Sequence, residues 1–236
     1  MNMFIMLDGI DGSGKSTILD AWKKEIAAQG NGIFDLKNYW QTTGRYPELS
    51  EMRAYNFIFS CEPTYAGIGR VIRDELVKHD DYPPQAVAHA FSLDRLVLYH
   101  KIIIPLLAQG KCVIQDRGVS SSLAYQSAQH EELTFDVLAG LPGNELALEN
   151  RPDYLILAEL SAEEAVERLS RRTGKQDEAI FEKLEFMKRL ETQYSDEKFR
   201  NLFIDRGTRI MELPTNVNID TMKEQAAILL RRILTK

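Results

Sequence analysis

Apolar runs and stretches of helical periodicity alternate along this chain from its first residues. Residues 3–7 are almost entirely apolar, and apolar residues then recur at helical spacing between residues 18 and 26, ahead of Gly30. An unbroken apolar run is typical of a buried strand, and a period near 3.6 is typical of an amphipathic helix. The first thirty residues therefore predict a strand, a glycine-rich turn and a helix over 14–29.

The same alternation continues to the end of the sequence. Further strands are predicted at 57–59, 112–115, 154–160 and 209–213. Further helices are predicted at 66–78, 85–108, 120–129, 177–198 and 222–234. Ser161 and Glu164 predict a capping box at the start of one more helix. Residues 33–55 and 141–152 show no clear period and are expected to be irregular.

Strands that alternate with helices predict a parallel sheet with helices on both faces. We therefore expect residues 1–236 to form one α/β domain with three layers around a five-stranded parallel sheet. Ligands of such sheets bind at the carboxyl ends of the strands. A basic lid is expected at about residues 170–178, where Arg171, Arg172 and Lys175 follow a predicted helix.

Charge and cysteine content limit the classes of partner and location. The net charge of -6 argues against a nucleic-acid polymer as the main partner, because such a partner requires a basic surface. Cys61 and Cys112 are the only cysteines and are far apart, so we expect no disulfide framework or zinc site and a cytoplasmic location. No apolar run approaches the roughly 20 residues that cross a bilayer, so no membrane partner is expected.

One motif has a direct chemical interpretation. The sequence from Gly9 to Ser16 reads GIDGSGKS and fits the phosphate-binding pattern G-x-x-x-x-G-K-[S/T]. Glycines allow backbone N–H groups to turn toward a phosphate, and the positive end of the next helix points at the same anion. We expect Lys15 to reach the β- and γ-phosphates of ATP and the Ser16 hydroxyl to bind Mg²⁺. The expected nucleotide-binding residues are Gly9, Asp11, Gly12, Ser13, Gly14, Lys15, Ser16 and Thr17.

The motif predicts a P-loop NTPase fold and leaves the reaction open, because switches, transporters and motor ATPases share it. Four sequence blocks in a fixed order narrow the choice. They are LDGIDGSGKST at 7–17; EPT at 62–64 with IGRVIR at 68–73; FSLDR at 91–95 with DR at 116–117 and SSSLAYQ at 120–126; and RPD at 151–153 with SAEEA at 161–165 and RR at 171–172.

In this order the blocks resemble the thymidylate kinases, a family of P-loop nucleoside-monophosphate kinases. The resemblance implies transfer of the γ-phosphoryl group of Mg-ATP to dTMP and a homodimer formed through the region 91–107. The apolar side chains there either form that contact or belong to the core; they are Ile102, Ile103, Ile104, Leu106 and Leu107.

The resemblance also implies roles for residues of the acceptor site. Phe91 would stack on the base, Arg95 would contact its carbonyl edge, Ser122 would bond the ring, and Tyr125 would crowd the 2′ position. The alternative for Phe91 and Tyr125 is a packed helix residue. Further substrate-binding residues are expected at Glu62, Asp116, Arg117 and Gln126. Asp94 is expected to be an ion-pair partner within its helix.

The chemistry explains why cations are prominent in these blocks. The acceptor phosphate is already ionised, so the obstacle to reaction is repulsion between two polyanions rather than a missing base. Arg117 can hold the acceptor phosphate, while Asp116 orients it or a metal-bound water. The expected catalytic residues are Lys15, Arg117, Arg171, Arg172 and Asp11, and the expected metal ligands are Ser16 and Asp116.

Three features depart from the family pattern. Cys61 stands where the family usually has an arginine that reaches the acceptor phosphate, and Arg53, Arg70 or Arg73 could substitute for it. Gly118 stands where the family has an aromatic residue or histidine, which is expected to leave room in the acceptor pocket. The 33–55 stretch is longer than usual and could cover that pocket.

Three alternatives to a dTMP kinase stay open at this point. A kinase for a different (d)NMP would use the same cradle with a changed pocket. A deoxynucleoside kinase must deprotonate a sugar hydroxyl and needs a carboxylate base, for which Glu62 is a candidate. A P-loop switch protein would carry a guanine-reading N-K-x-D element, which this sequence lacks.

Overall fold

Six strands in the described chain form one parallel sheet. The computed structural model describes residues 2–79, 81–173 and 179–235, without the side chains of residues 172, 173 and 179–182. The strands are β1 Met3–Asp8, β2 Ile33–Asp35, β3 Phe57–Cys61, β4 Cys112–Asp116, β5 Tyr154–Glu159 and β6 Arg209–Pro214. They lie in the order β2-β3-β4-β1-β5-β6, and each neighbouring pair is parallel.

Helices connect the strands along the described chain. The α-helices are α1 Lys15–Ala28, α2 Leu36–Thr43, α3 Ile68–Val71, α4 Pro84–Leu98, α5 Ile104–Ala108, α6 Val119–Gln129, α7 Phe135–Ala139, α8 Pro142–Glu149, α9 Ala162–Thr173, α10 Ala179–Ser195, α11 Glu197–Ile204 and α12 Ile219–Leu234. A π-helical segment Ile72–Leu76 extends α3, and another, Tyr99–Ile103, joins α4 to α5. A 3₁₀ turn lies at Leu49–Met52.

Alternate residues of the central strand face two separate cores. Phe4 and Met6 pack into the larger core, which α4, α6 and α10 cover. Ile5 and Leu7 pack into the other core together with Trp22 of α1. This alternation follows from the period of two along a strand. Helices therefore cover both faces of the sheet, which confirms the predicted α/β class and its three layers.

The predicted number of five strands is wrong, because the stretch 33–55 contains the edge strand β2 and the helix α2. The strand is only three residues long and half-buried, so it leaves no apolar pattern to detect. The Asp35 carboxylate caps α2 by accepting from the Asn38 amide at 3.1 Å. Trp40 and Met52 are buried in the larger core, so the inserted stretch is an integral part of the fold.

The prediction of a loop at 141–152 is also wrong, because α8 occupies most of that stretch. Pro142 stands in the first turn of α8, a position where its fixed φ favours a helix. Gly143 allows α8 to lie directly on α4, since a Cβ atom there would overlap the Ser92 carbonyl. The Gly143 amide also donates to Ser92 Oγ at 2.9 Å. Long-range packing stabilises this short helix, and its sequence gives no periodic signal.

The single helix predicted at 177–198 is two helices. Asp196 interrupts it, because its carboxylate accepts from the Lys198 amide at 2.7 Å and so caps α11. Residues 177 and 178 lie outside the described part. No helix within the described ranges is both long and apolar enough to cross a membrane.

The carboxyl ends of the three central strands meet at one edge of the sheet. Asp116 at the end of β4 lies opposite Cys61 of β3 and Leu7 of β1. The loops that leave this edge carry the glycine-rich segment, the Glu62–Pro63 turn and Arg117. The fold thus brings together sequence blocks more than 50 residues apart.

Candidate active site

The glycine-rich segment forms a tight loop between β1 and α1. Gly9 and Gly12 have φ angles of 139° and 87°, which side-chain-bearing residues rarely adopt. A Cβ atom at Gly9 would lie 2.6 Å from the Ala158 carbonyl oxygen. The loop leads directly into α1 at Lys15, so the free amides of the first helical turn lie beside the loop. This geometry is suited to binding an anion.

Lys15 lies folded against the loop. Its ammonium donates to the carbonyl oxygens of Gly9 at 2.9 Å and Ile10 at 2.8 Å. Burial lowers the pKa of Lys15 to about 8, and the nearby Arg117 acts in the same direction. The side chain therefore has a poorly solvated positive charge that a polyphosphate would stabilise.

Asp8 fixes the loop to the rest of the molecule. Its carboxylate is fully buried and accepts from the Gly9 amide at 2.8 Å, Ser121 Oγ at 2.8 Å and Tyr194 Oη at 2.9 Å. Ser120 also donates to it. Charge-assisted hydrogen bonds of this kind are the strong ones in proteins. Asp8 therefore joins β1 to α6 and α10, while Asp11 faces the site.

Arg117 is held from several sides at the end of β4. Its guanidinium donates to Asp11 Oδ1 at 2.5 Å, Ser121 Oγ at 2.9 Å and Tyr125 Oη at 3.1 Å. The residue has a φ of 63°, and its amide donates to the Leu7 carbonyl at 2.8 Å. A positive φ in a non-glycine residue costs of order 1 kcal/mol or more and is concentrated at functional sites. The structure thus holds this cation next to the glycine-rich loop.

A cavity of about 860 Å³ opens beside Arg117. That volume lies in the range of ligand pockets, which run from roughly 300 to 1,000 Å³. All eight substrate-binding residues expected from the sequence line it, together with the expected catalytic residue Asp11; the eight are Glu62, Phe91, Arg95, Asp116, Arg117, Ser122, Tyr125 and Gln126. The structure therefore brings these residues together around one space.

A buried polar cluster forms one wall of the cavity. Arg95 pairs with Glu62 Oε2 at 2.6 Å and donates to Ser122 Oγ at 2.9 Å and to Asn144 of α8. Gln115 donates to Glu62 Oε1 at 2.9 Å. Burial raises the pKa of Glu62 to about 7, and Arg95 acts in the opposite direction. These partners fix Arg95 and Ser122 in the wall.

Gln126 lines the cavity with an unsatisfied amide. It is 5% exposed, and neither its Nε2 nor its Oε1 atom has a hydrogen-bond partner in the described chain. Leaving a buried polar group unpaired costs roughly 1–3 kcal/mol. A donor and an acceptor side by side, facing a cavity, match a ligand that offers the complementary pair.

Asp94 does not form the ion pair expected within its helix. It is 1% exposed and accepts from both the amide and the hydroxyl of Thr64 at 2.7 Å. No ion pair of Asp94 occurs among the described residues. Asp94 thus positions the turn that follows β3. This role depends on contacts with Thr64, which is 30 residues away in the sequence.

Two oxygen-bearing side chains could hold a magnesium ion. Asp116 lines the cavity, and its buried Oδ1 atom has no hydrogen-bond partner in the described chain. Burial raises the pKa of Asp116, while Arg117 and Lys15 favour its ionised form. Ser16 stands exposed in the first turn of α1. Mg²⁺ prefers oxygen ligands and binds through one or two protein groups together with phosphates and water, so these residues fit it.

A protein-only metal cage is not found. Within the described ranges, no group of three or more His, Cys, Asp or Glu side chains is arranged to hold a metal ion. That result is compatible with a metal carried mainly by substrate phosphates.

The predicted lid cations lie outside the cavity wall or outside the described part. Arg171 is exposed on α9 and pairs with Glu167 at 2.6 Å. The Arg172 side chain and the whole of Lys175 are among the residues that the structure does not describe. Their catalytic role stays a prediction.

Several cavity residues were not predicted from the sequence. Phe186 and Arg189 of α10 line it, and Phe186 contacts Tyr125 edge-on with ring centroids 6.0 Å apart. Their spacing of three places both on one side of a helix, but nothing in the pattern shows which side faces the cavity. Lys37 and Tyr65 also line it. Lys37 is the lining residue contributed by the inserted stretch 33–55.

Gly118 lines the cavity, and its backbone also lies close to the larger core. A Cβ atom at this position would lie 2.4 Å from Met6 Cε and 2.9 Å from Gln115 Nε2. The glycine therefore allows the turn between β4 and α6 to approach a fully buried methionine. Any larger residue at position 118 requires Met6 to move.

This packing gives a testable result for stability. We expect Gly118→Ala to lower the free energy of unfolding by about 1–3 kcal/mol, because extra atoms in a packed core force side chains from their positions. Gly140→Ala is the matched control, since its nearest contact would be at 3.5 Å. Denaturant unfolding measures both variants. Equal stability of Gly118→Ala and the original chain would contradict the packing argument.

Comparisons with known proteins agree on one family. Residues 46–224 match the family model described as Thymidylate kinase. A probable thymidylate kinase of Thermococcus gammatolerans is 32% identical over 203 residues, covering 82% of each chain. A thymidylate kinase of Mycoplasmopsis pulmonis is 34% identical over 188 residues, covering 78% of this chain and 68% of the relative. The crystal structure of thymidylate kinase from Ehrlichia chaffeensis has a TM-score of 0.62 and 22% identity, covering 98% of both chains.

Proposed function

The chain belongs to the thymidylate kinase family, and on that basis we propose that it phosphorylates dTMP to dTDP with ATP as the phosphoryl donor. One observation supports this function most strongly. The acceptor-site cavity opens directly beside the glycine-rich loop, with Arg117 between the two. Two phosphate-bearing substrates can therefore meet at one point.

Lys15 and the loop amides would hold the donor. The Lys15 ammonium, now bound to two loop carbonyls, would contact the β- and γ-phosphates of ATP. Mg²⁺ on Ser16 and Asp116 would neutralise part of the phosphate charge. The backbone N–H groups of the glycine-rich loop would bind the same phosphates.

Arg117 would align the acceptor. Its fork of N–H groups matches two phosphate oxygens, and its bonds to Asp11, Ser121 and Tyr125 limit its movement. When the acceptor is held in line with the γ-phosphate, most of the rate enhancement of phosphoryl transfer comes from positioning and from charge stabilisation. No protein base is needed, because the acceptor oxygen is already ionised.

The cavity wall would select the base. Phe91 offers an apolar face, and Arg95, Ser122 and Gln126 offer polar groups on the same wall. A site whose buried polar groups must be satisfied rejects ligands that lack the partners. Pyrimidine rings with N–H and carbonyl groups side by side are such partners for the Gln126 amide.

A substitution of Gln126 is expected to affect dTMP binding and protein stability in different ways. We expect Gln126→Leu to raise the KM for dTMP by about tenfold, because a hydrogen-bonding pair is lost. The same change should leave the melting temperature equal or higher, since two unsatisfied buried polar atoms are removed. Steady-state kinetics and thermal unfolding measure the two effects, with the KM for ATP as internal control. An unchanged KM for dTMP would remove Gln126 from the acceptor site.

A deoxynucleoside kinase has less support. That activity needs a free carboxylate base near a sugar hydroxyl. Glu62, the candidate, is 4% exposed, is paired with Arg95 at 2.6 Å and accepts from Gln115. These bonds hold it in the wall and occupy both of its oxygens.

A panel of acceptors tests the proposed specificity. With Mg-ATP as donor, we expect the highest kcat/KM with dTMP among dTMP, dUMP, UMP, CMP, dGMP and AMP. A higher kcat/KM with another monophosphate would mean that the protein is still a nucleoside-monophosphate kinase but prefers a different acceptor. The departures at Cys61 and in the 33–55 stretch would then be the first positions to exchange.

Assembly and location stay predictions from the sequence. Ile102, Ile103 and Leu106 are fully buried within the protomer, which favours the core interpretation for these three side chains. A homodimer formed through other residues of the 91–107 region, a cytoplasmic location and a single domain are part of the proposal.

A further inference from the structure

The inserted stretch 33–55 brings a lysine to the edge where the acceptor cavity begins. Strand β2 runs parallel to β3 with Asp35 opposite Phe59. Lys37 follows two residues after Asp35, and Cys61 follows two residues after Phe59. Both residues line the cavity. The insertion thus places a cation beside the position where thymidylate kinases usually carry an arginine.

Lys37 is exposed, and no described residue pairs with its charge. Within the described residues its ammonium forms no hydrogen bond and no ion pair, and it lies 5.5 Å from the centroid of the Tyr65 ring. An aromatic face attracts a cation without neutralising its charge. The three N–H groups of Lys37 therefore stay available to a ligand in the cavity.

The other candidate cations are less available. Arg73 stacks on Tyr65 at 3.8 Å, and its Nε donates to the Pro63 carbonyl at 2.9 Å. Arg70 is exposed on α3 and pairs with Asp74 at 3.4 Å. Arg53 is exposed and does not line the cavity. Arg73 holds the turn after β3, whereas the exposed Lys37 ammonium has no hydrogen-bond partner in the described chain.

The charge of Lys37 acts on Cys61 at the end of β3, where the acceptor phosphate is expected. Burial raises the pKa of the Cys61 thiol to about 12, and the charges of Arg73 and Lys37 oppose that shift. Cys61 and Asp116 are paired in register at the ends of β3 and β4. An anion between them and Arg117 would lie between two cations.

We propose that Lys37 binds the phosphate of the acceptor nucleotide and replaces the arginine that the family usually carries at the position of Cys61. This inference rests on the proposed function, because it assumes a nucleoside monophosphate in the cavity. A lysine reaches the phosphate as a point charge from the side, whereas Arg117 grips it with a planar fork. Two cations from different walls balance the two charges of the acceptor phosphate.

Calorimetric titration with dTMP and with thymidine tests this role, since the two ligands differ only by the phosphate. We expect Lys37→Gln to weaken dTMP binding about tenfold or more, the usual range for a lost hydrogen bond to a charged group. Thymidine binding should stay within about twofold, and Lys37→Arg should retain most of the dTMP affinity. Arg53→Gln is the matched control, because it removes one charge from the same inserted stretch away from the cavity.

Each outcome decides the inference. Equal affinity of the original chain and Lys37→Gln for dTMP would overturn it, and so would an equal loss for dTMP and thymidine. Failure of the proposed function has a different signature, namely no turnover of dTMP by the unsubstituted enzyme. If another monophosphate is the acceptor, the same comparison with that nucleotide and its nucleoside decides the role of Lys37.

Discussion

Lys15→Ala is expected to lower kcat/KM for ATP by roughly 10²- to 10³-fold or more, the scale seen when one preorganised charge-stabilising donor is removed. The lysine belongs to the glycine-rich loop, and its ammonium lies 2.9 Å or less from two loop carbonyls. Without it, the charge that builds up on the transferring group loses the cation that the loop itself carries. Steady-state kinetics with ATP as the varied substrate measures the effect.

The control for this variant is Lys24→Ala on the same helix. Lys24 is exposed, so its removal changes the net charge equally and leaves the loop intact. We expect its kcat/KM to stay within about twofold, as for a surface substitution. Removal of the buried Lys15 charge also removes a desolvation cost, so loss of folding is not expected. Turnover by Lys15→Ala at the original rate would exclude Lys15 from the mechanism.

Arg117→Ala is expected to lower kcat/KM for dTMP by roughly 10³-fold, a typical value for an arginine that stabilises a transferring phosphoryl group. Its guanidinium stands between the loop acid Asp11 and the cavity residue Tyr125, where the two substrates would meet. Arg117→Lys keeps one charge and the same unusual backbone conformation but loses the fork. We expect it to be intermediate in activity.

Ser121→Ala tests how Arg117 is oriented. It removes the hydrogen bond from the guanidinium to Ser121 and the one from Ser121 to Asp8, and it leaves the bonds that Arg117 donates to Asp11 and Tyr125. A smaller loss than that of Arg117→Ala is expected, because the guanidinium charge stays in place. If Arg117→Ala kept more than a tenth of the original kcat/KM, another group would have to hold the acceptor phosphate.

The central part of the fold is readable from the sequence because its signals are local. The apolar runs of β1, β4 and β5 are each followed by turn residues and a helix, so their parallel direction follows from the pattern. The glycine spacing predicts the loop in the same way. These elements hold the phosphate-binding half of the site.

Other elements depend on contacts that no local pattern reports. Strand β2 has three residues at the sheet edge, and α8 owes its place to the close approach of Gly143 to Ser92. The pairing of Asp94 with Thr64 replaces the ion pair that its helix position suggested. The sequence blocks located most of the acceptor cavity, whereas Lys37 and Phe186 reach it only through tertiary packing.

The most direct measurement follows the label from [γ-³²P]ATP in the presence of Mg²⁺ with either dTMP or thymidine as the sole acceptor, and separates the products by chromatography. The proposed function predicts label in dTDP from dTMP, no labelled product from thymidine, and no transfer by Lys15→Ala. Labelled dTMP formed from thymidine, or no label in any nucleotide with dTMP, would contradict it.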